Sequence, residues 1–183
     1  RYQIFCINMK KNISFKIYRL PGVFGKWSKP NYNSVVATFC HNVAHDIPLE
    51  IQDPHKVLNL VHVGDVIKSF LKLIENYQNF DLFIDVNTSY TISVSELANT
   101  ITHFRSSSLN FEVDEVGCGL NRLLYSTYLS YLSPMQARQP LILREDDRGI
   151  FAEFLKSKRF GQVSFFTILP GHTRGGHYHN IKT

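Results

Sequence analysis

Acidic residues are missing from the first 45 positions, which carry seven Lys or Arg, whereas the rest of the chain holds thirteen basic against fifteen acidic residues. Cysteine is scarce: Cys6, Cys40 and Cys118 form no CxxC pair and an odd set, which argues against a disulfide framework or a zinc ribbon. A reducing cytoplasm is the simplest compartment for such a chain. No apolar run approaches the length of a membrane span, so no membrane partner is expected. An initiator Met and a signal-peptide pattern are also missing, because the opening residues mix Arg1, Asn8, Lys10 and Lys11 with apolar ones. The sequence reads as beginning inside a larger protein.

What is present suffices for a packed core: 44% hydrophobic and 13% aromatic residues in 183, enough for one domain or parts of two. The net charge of +5, concentrated at the front, suggests an anionic partner such as a nucleic acid or a nucleotide diphosphate. The basic residues are scattered through strand and loop instead of lining one helical face, which disfavours nucleic acid.

Along the chain, residues 1–11 read as the end of a helix with Tyr2, Phe5, Cys6 and Met9 on one face. Ile13 to Leu20 reads as a strand running into a turn with Pro21, Gly22 and Gly25. Asn33 and Ser34 can cap the next helix, whose buried side carries Val35, Val36, Phe39, Cys40 and Val43. His41 and His45, four apart on that helix, can chelate a metal or simply face water. Ile47 to Gln52 alternates as a strand, turned by Asp53-Pro54, and Leu58 to Val63 is another, with His62 as a core histidine. Asp65 is expected to cap a helix with the stripe Val66, Phe70, Leu73 and Ile74. A strand over Asp81 to Val86 and a capping box of Ser93 with Glu96, opening a helix to Phe104, continue the α/β alternation. Ser106 to Ser108 reads as a loop, and the aromatic-rich Leu123 to Leu132 leads to Pro134 and Pro140.

Beyond Pro140 only short strands follow: Leu141 to Leu143, Gly149 to Phe154 and Gln162 to Leu169. On a strand, His177 and His179 share a face, since side chains alternate with period two, and such a pair can grip a metal.

RLPGVFGKW followed by PNYNSVVATFC, then LVHVGDV, YSTYLSYL, DDRGIFAEF and PGHTRGGHYH, in that order, resemble the CapF-type enzymes of capsular polysaccharide synthesis. In these an extended short-chain dehydrogenase/reductase domain, of the NAD-dependent epimerase/dehydratase family, precedes a cupin. The resemblance implies an α/β fold, the C-terminal part of a Rossmann reductase domain over 1–120, a linker over 121–140 and the start of a cupin over 141–183. It places Pro21 beside the nicotinamide of NADP(H), and Asn31, Asn33 and Ser34 against the nucleotide sugar. His177 and His179 become ligands of a divalent metal, expected to be zinc, with a Glu expected directly after Thr183.

The family's catalytic Tyr/Lys dyad has no counterpart here, since Tyr2 is followed four residues on by Cys6. No catalytic residue is therefore assigned to this chain, and the chain is expected to be inactive alone. Gly22 stands where the family usually has an asparagine that holds the sugar. The implied activity of the intact protein is bifunctional: cupin epimerisation next to a 4-keto group, then NADPH-dependent reduction of that ketone on a UDP-linked deoxy amino sugar. A homodimer is expected. The alternative is a cupin part that serves only for dimerisation or interaction.

Overall fold

The computed structural model describes residues 16–76, 82–113, 115–159 and 161–175. The expected helix at the front of the chain, Asp81, and the histidines at 177 and 179 lie outside the described residues. Mixed α/β structure is distributed over three small sheets.

Strand β1 (Ile17–Arg19) pairs in parallel with β4 (Phe83–Asp85). Strand β2 (Gly22–Phe24), only a few residues beyond β1, belongs instead to a second sheet of order β2-β3-β5, with β3 (Val57–His62) parallel to it and β5 (Tyr90–Ser93) antiparallel. The expected turn at 22–25 is thus partly strand, and Pro21 falls at the seam where the chain leaves one sheet for the other. Proline suits that seam because it has no N–H to offer either ladder.

Helix α1 (Val35–Ala44) connects β2 to β3, and Ser34, not Asn33, is its N-cap, the hydroxyl accepting from the Ala37 N–H at 3.3 Å. Its C-terminus is a Schellman turn: Asp46 takes φ 54°, and the Ile47 N–H donates to Asn42 O at 2.8 Å while the Asp46 N–H reaches Val43 O. That turn commits Ile47 to closing the helix, so the alternating Ile47 to Gln52 run forms no strand.

Helix α2 (Val63–Glu75) follows β3 without a loop. Its cap is His62, whose Nδ1 accepts from the Gly64 N–H at 3.1 Å; Asp65 lies inside the first turn. The apolar stripe of α2 is present, yet only Val66 is buried and Ile74 remains 76% exposed. Helix α3 (Val94–Leu109) opens with the expected Ser93–Glu96 capping box and continues through Ser106 to Ser108, where a loop was expected.

Helix α4 (Gly119–Leu129) occupies the start of the stretch expected as a linker, and its Leu124, Thr127 and Tyr128 are fully buried. The main core lies among α1, α3 and α4, with Phe24 and Leu60 closing it from the sheet.

Strands β6 (Leu143–Asp146), β7 (Gly149–Ser157) and β8 (Gly161–Phe166) form an antiparallel meander. The first begins at the residue where the expected strand ends. A clasp joins this meander to the segment after α3: the Lys156 N–H donates to Phe111 O and the Val113 N–H to Lys156 O, both at 2.8 Å. Lys158–Glu112 at 3.5 Å and Arg159–Glu115 at 2.6 Å add ion pairs alongside.

Candidate functional site

In open α/β sheets ligands bind beyond the carboxyl ends of the strands. The parallel strands β2 and β3 end side by side, with Phe24 in register with His62. Directly beyond them the Gly25 backbone packs against the Val63 side chain: a Cβ on Gly25 would stand 2.5 Å from Val63 Cγ1. Only glycine lets the loop leave β2 this close to the start of α2. Gly22 is also confined, since a Cβ there would meet Asn59 O and Leu60 Cδ2 at 3.2 Å, so a larger residue requires its neighbours to give way.

The loop from Lys26 to Asn33 rises from this point and is pinned at two positions within it. Tyr131 Oη donates to Ser28 O, and the Asn31 N–H donates to Thr38 Oγ1 at 2.9 Å. Trp27, just before the first anchor, and Asn31, at the second, hold left-handed backbone, φ 62° and 54°. Such conformations cost about 1–3 kcal/mol each for ordinary residues and persist only where the surroundings impose them. Asn31 and Asn33 are exposed, Pro21 is half-buried, and Ser34 spends its lone pair on the helix cap while its O–H remains a donor. Because Ser34 caps α1, the Asn33 amide is left available to a ligand.

Basic residues gather near His62 around one carboxylate, Asp65, to which Lys68 is ion-paired at 3.4 Å. The first turn of α1 contains no acidic residue, so its N-terminal dipole is not neutralised from within. Burial pushes His62 below its ordinary value; Asp65 opposes this, while Lys68, Arg122 and Lys26 reinforce it. Lys26 from the loop, Lys68 from α2 and Arg122 from α4 therefore all act on one point. Arg122 was not identified from the sequence, because α4 was not, and only the packing of that helix brings the residue to this region.

His62 accepts at Nδ1, which places its proton on Nε2 and keeps it neutral. Its folded value is depressed, so its contribution to stability is complete above the ordinary 6.5 and is lost as pH falls from there through the folded value. Asparagine caps a helix equally well without titrating. We expect His62→Asn to show a shallower loss of stability than the wild type below pH 6.5, measured by urea denaturation at a series of pH values. Parallel profiles would mean that His62 does not carry the effect.

A second concavity of about 540 Å³ lies between α2 and the carboxyl end of β4, lined in part by Lys68, Lys72, Asp85 and Asn87. It includes none of Pro21, Asn31, Asn33 or Ser34. Among the described residues no three His, Cys, Asp or Glu side chains gather as a metal site. His41 and His45 stack at 4.3 Å, with His45 Nδ1 bonded to His41 O at 2.8 Å.

Comparison with known proteins gives the following. The polysaccharide biosynthesis C-terminal domain matches residues 144–183. A UDP-2-acetamido-2,6-beta-L-arabino-hexul-4-ose reductase of Pseudomonas aeruginosa is 48% identical over 167 residues, covering 91% of this chain and 45% of that protein. The crystal structure of the capsular polysaccharide assembling protein CapF from Staphylococcus aureus superposes with a TM-score of 0.88 at 34% identity, covering 98% of this chain and 49% of that one. The UDP-glucose 4-epimerase of Thermus thermophilus, in complex with NAD, shares the fold at TM-score 0.55 and 14% identity, covering 71% of this chain and 50% of that one. The likeness to CapF thus extends over nearly all of this chain, which spans about half the length of the relatives it matches.

Proposed function

We propose that a chain so similar to a UDP-sugar keto reductase and to CapF takes part in modifying a nucleotide sugar for surface polysaccharide synthesis, as part of an NADPH-dependent reductase with an attached cupin. The observation that carries this reading is the 48% identity to the reductase over 167 residues, 91% of this chain. Within that reading, Pro21 at the sheet seam walls the nicotinamide of NADP(H), and Asn31, Asn33 and Ser34 meet the UDP portion of a UDP-linked 4-keto amino sugar. The cationic surroundings suit a diphosphate.

The meander begins the cupin, in which His177 and His179 bind a divalent metal, taken to be zinc. When held there, such a metal would supply Lewis-acid polarisation of the ketone, which would acidify the adjacent C–H. The burial of α4 favours a reductase part that extends beyond 120 to the end of that helix. The proposed compartment is the cytoplasm; among the described residues no helix is long and apolar enough to cross a membrane.

Incubating the full-length protein that contains this chain with a UDP-4-keto-hexosamine and NADPH tests the reading. NADPH oxidation that depends on the sugar is expected, and its absence with every such sugar would end the proposal. Exposed apolar side chains on the meander, among them Val163, Phe165 and Phe166, favour a second reading in which the β part joins two protomers. Removing it from the full-length protein separates the two: loss of the dimer with sugar inversion intact supports the second.

A further inference from the structure

Trp27 is the single tryptophan of the chain and lies 84% exposed on the loop, where a side chain of that size forfeits the burial it would find in the core. Its placement is constrained: the backbone is left-handed at Trp27 and again at Asn31, and the loop is tied down directly after the tryptophan, by Tyr131 at Ser28 O and by Thr38 at the Asn31 N–H. A ring held out at the expense of backbone strain, beyond the carboxyl ends of two parallel strands, is a prepared contact surface. The other exposed aromatic of this loop, Tyr32, has one face taken by the Lys29 ammonium, 5.8 Å from its centroid. Trp27 is left as the open ring, with Lys26 next to it in the chain and Lys29 two residues on.

We propose that Trp27 stacks on the base of a nucleoside diphosphate whose phosphates are met by the flanking lysines, a role that rests on the nucleotide-sugar reading above. An open indole face supplies base stacking, and the ammonium groups supply the anion site; together they fit a nucleotide better than an inorganic anion or an apolar ligand. The base is the part of the ligand that Asn31, Asn33 and Ser34 leave unassigned.

Because the chain has one tryptophan, its emission reports on this position alone. UDP is titrated into the purified chain while emission is followed, calorimetry is run on the same samples, and inorganic pyrophosphate serves as the ligand with charges but no base. Saturable quenching is expected with UDP and not with pyrophosphate. Trp27→Ala is expected to weaken UDP binding about 10-fold, and Trp27→Phe less, since a smaller ring still stacks. Calorimetric binding of UDP with unchanged emission and full affinity in Trp27→Ala overturns the stacking role and leaves the nucleotide reading standing. Absence of UDP binding by both heat and emission overturns the stacking role, while the nucleotide reading stands or falls on sugar-dependent NADPH oxidation by the full-length protein. An emission change that follows protein concentration without UDP would overturn the proposal in favour of a contact between two copies of the chain.

Discussion

Gly149→Ala is expected to cost more than about 3 kcal/mol and to unravel the β6–β8 meander. Gly149 holds φ 128°, and a Cβ there would stand 2.4 Å from Thr167 O and 2.9 Å from Thr167 C, main-chain atoms that cannot swing aside. Thr167 is itself committed, its N–H donating to Ile150 O at 2.8 Å and its hydroxyl accepting from the Ile150 N–H at 2.9 Å. Arg174 reaches the same turn, donating to Asp146 Oδ1 at 2.8 Å and to Gly149 O at 2.9 Å. One methyl group therefore pushes on the β6–β7 turn, the segment directly after β8 and the arginine that ties them. Amide hydrogen exchange should show protection lost across residues 143–169 while α1 and α3 keep theirs. A variant within about 0.5 kcal/mol of the wild type would show that the turn relaxes without breaking.

Phe104→Ala should destabilise the helical part by about 3–5 kcal/mol, a large share of the 5–15 kcal/mol typical of a domain. Phe104 is 3% exposed and packs edge-on to Tyr125, with ring centroids 5.1 Å apart, and against Tyr128 at 6.0 Å. Both partners belong to α4, so the cavity opens at the α3–α4 contact. Urea denaturation should give a lower midpoint with an unchanged slope, and the amides of α4 should exchange faster. Were the stretch from 121 onward a linker, the same substitution would cost under about 1 kcal/mol and leave those amides as they were.

How far these features could be read from the sequence depended on whether their causes were local. The Ser93–Glu96 box and the strands β7 and β8 are set by residues a few positions apart, and the pattern shows them. Helix α4 gives no such signal: Cys118 at its N-cap makes no side-chain bond, and glycines on both sides read as loop. The Ile47 to Gln52 alternation misled because the Schellman turn at Asp46 is decided by the end of a helix, not by hydrophobic period. Periodicity located the apolar stripe on α2 correctly but says nothing of what covers it, and Ile74 is left in water. Asn31, Asn33 and Ser34 are close neighbours in the chain, so the sequence groups them without reference to the fold. The switch of sheets at Pro21 and the approach of Arg122 arise from pairings between distant segments, which no local pattern encodes.

The clasp between Lys156 and the segment at Phe111 to Val113 bears on how this architecture tolerates change over evolutionary time. The chain leaves the clasp after α3, passes through α4 and the Pro134 to Pro140 stretch, and returns to it in β7. Placement of the meander is thus fixed where the two segments meet, and not by the number of residues in between. Loop-closure entropy grows only with the logarithm of length, about 0.6 kcal/mol for each doubling, so insertions around Pro134 to Pro140 are nearly free. A charge reversal at Glu112 or Glu115, by contrast, acts on the joint itself. Lineages carrying this chain should therefore accumulate length variation in the connecting stretch while the few residues of the clasp resist substitution.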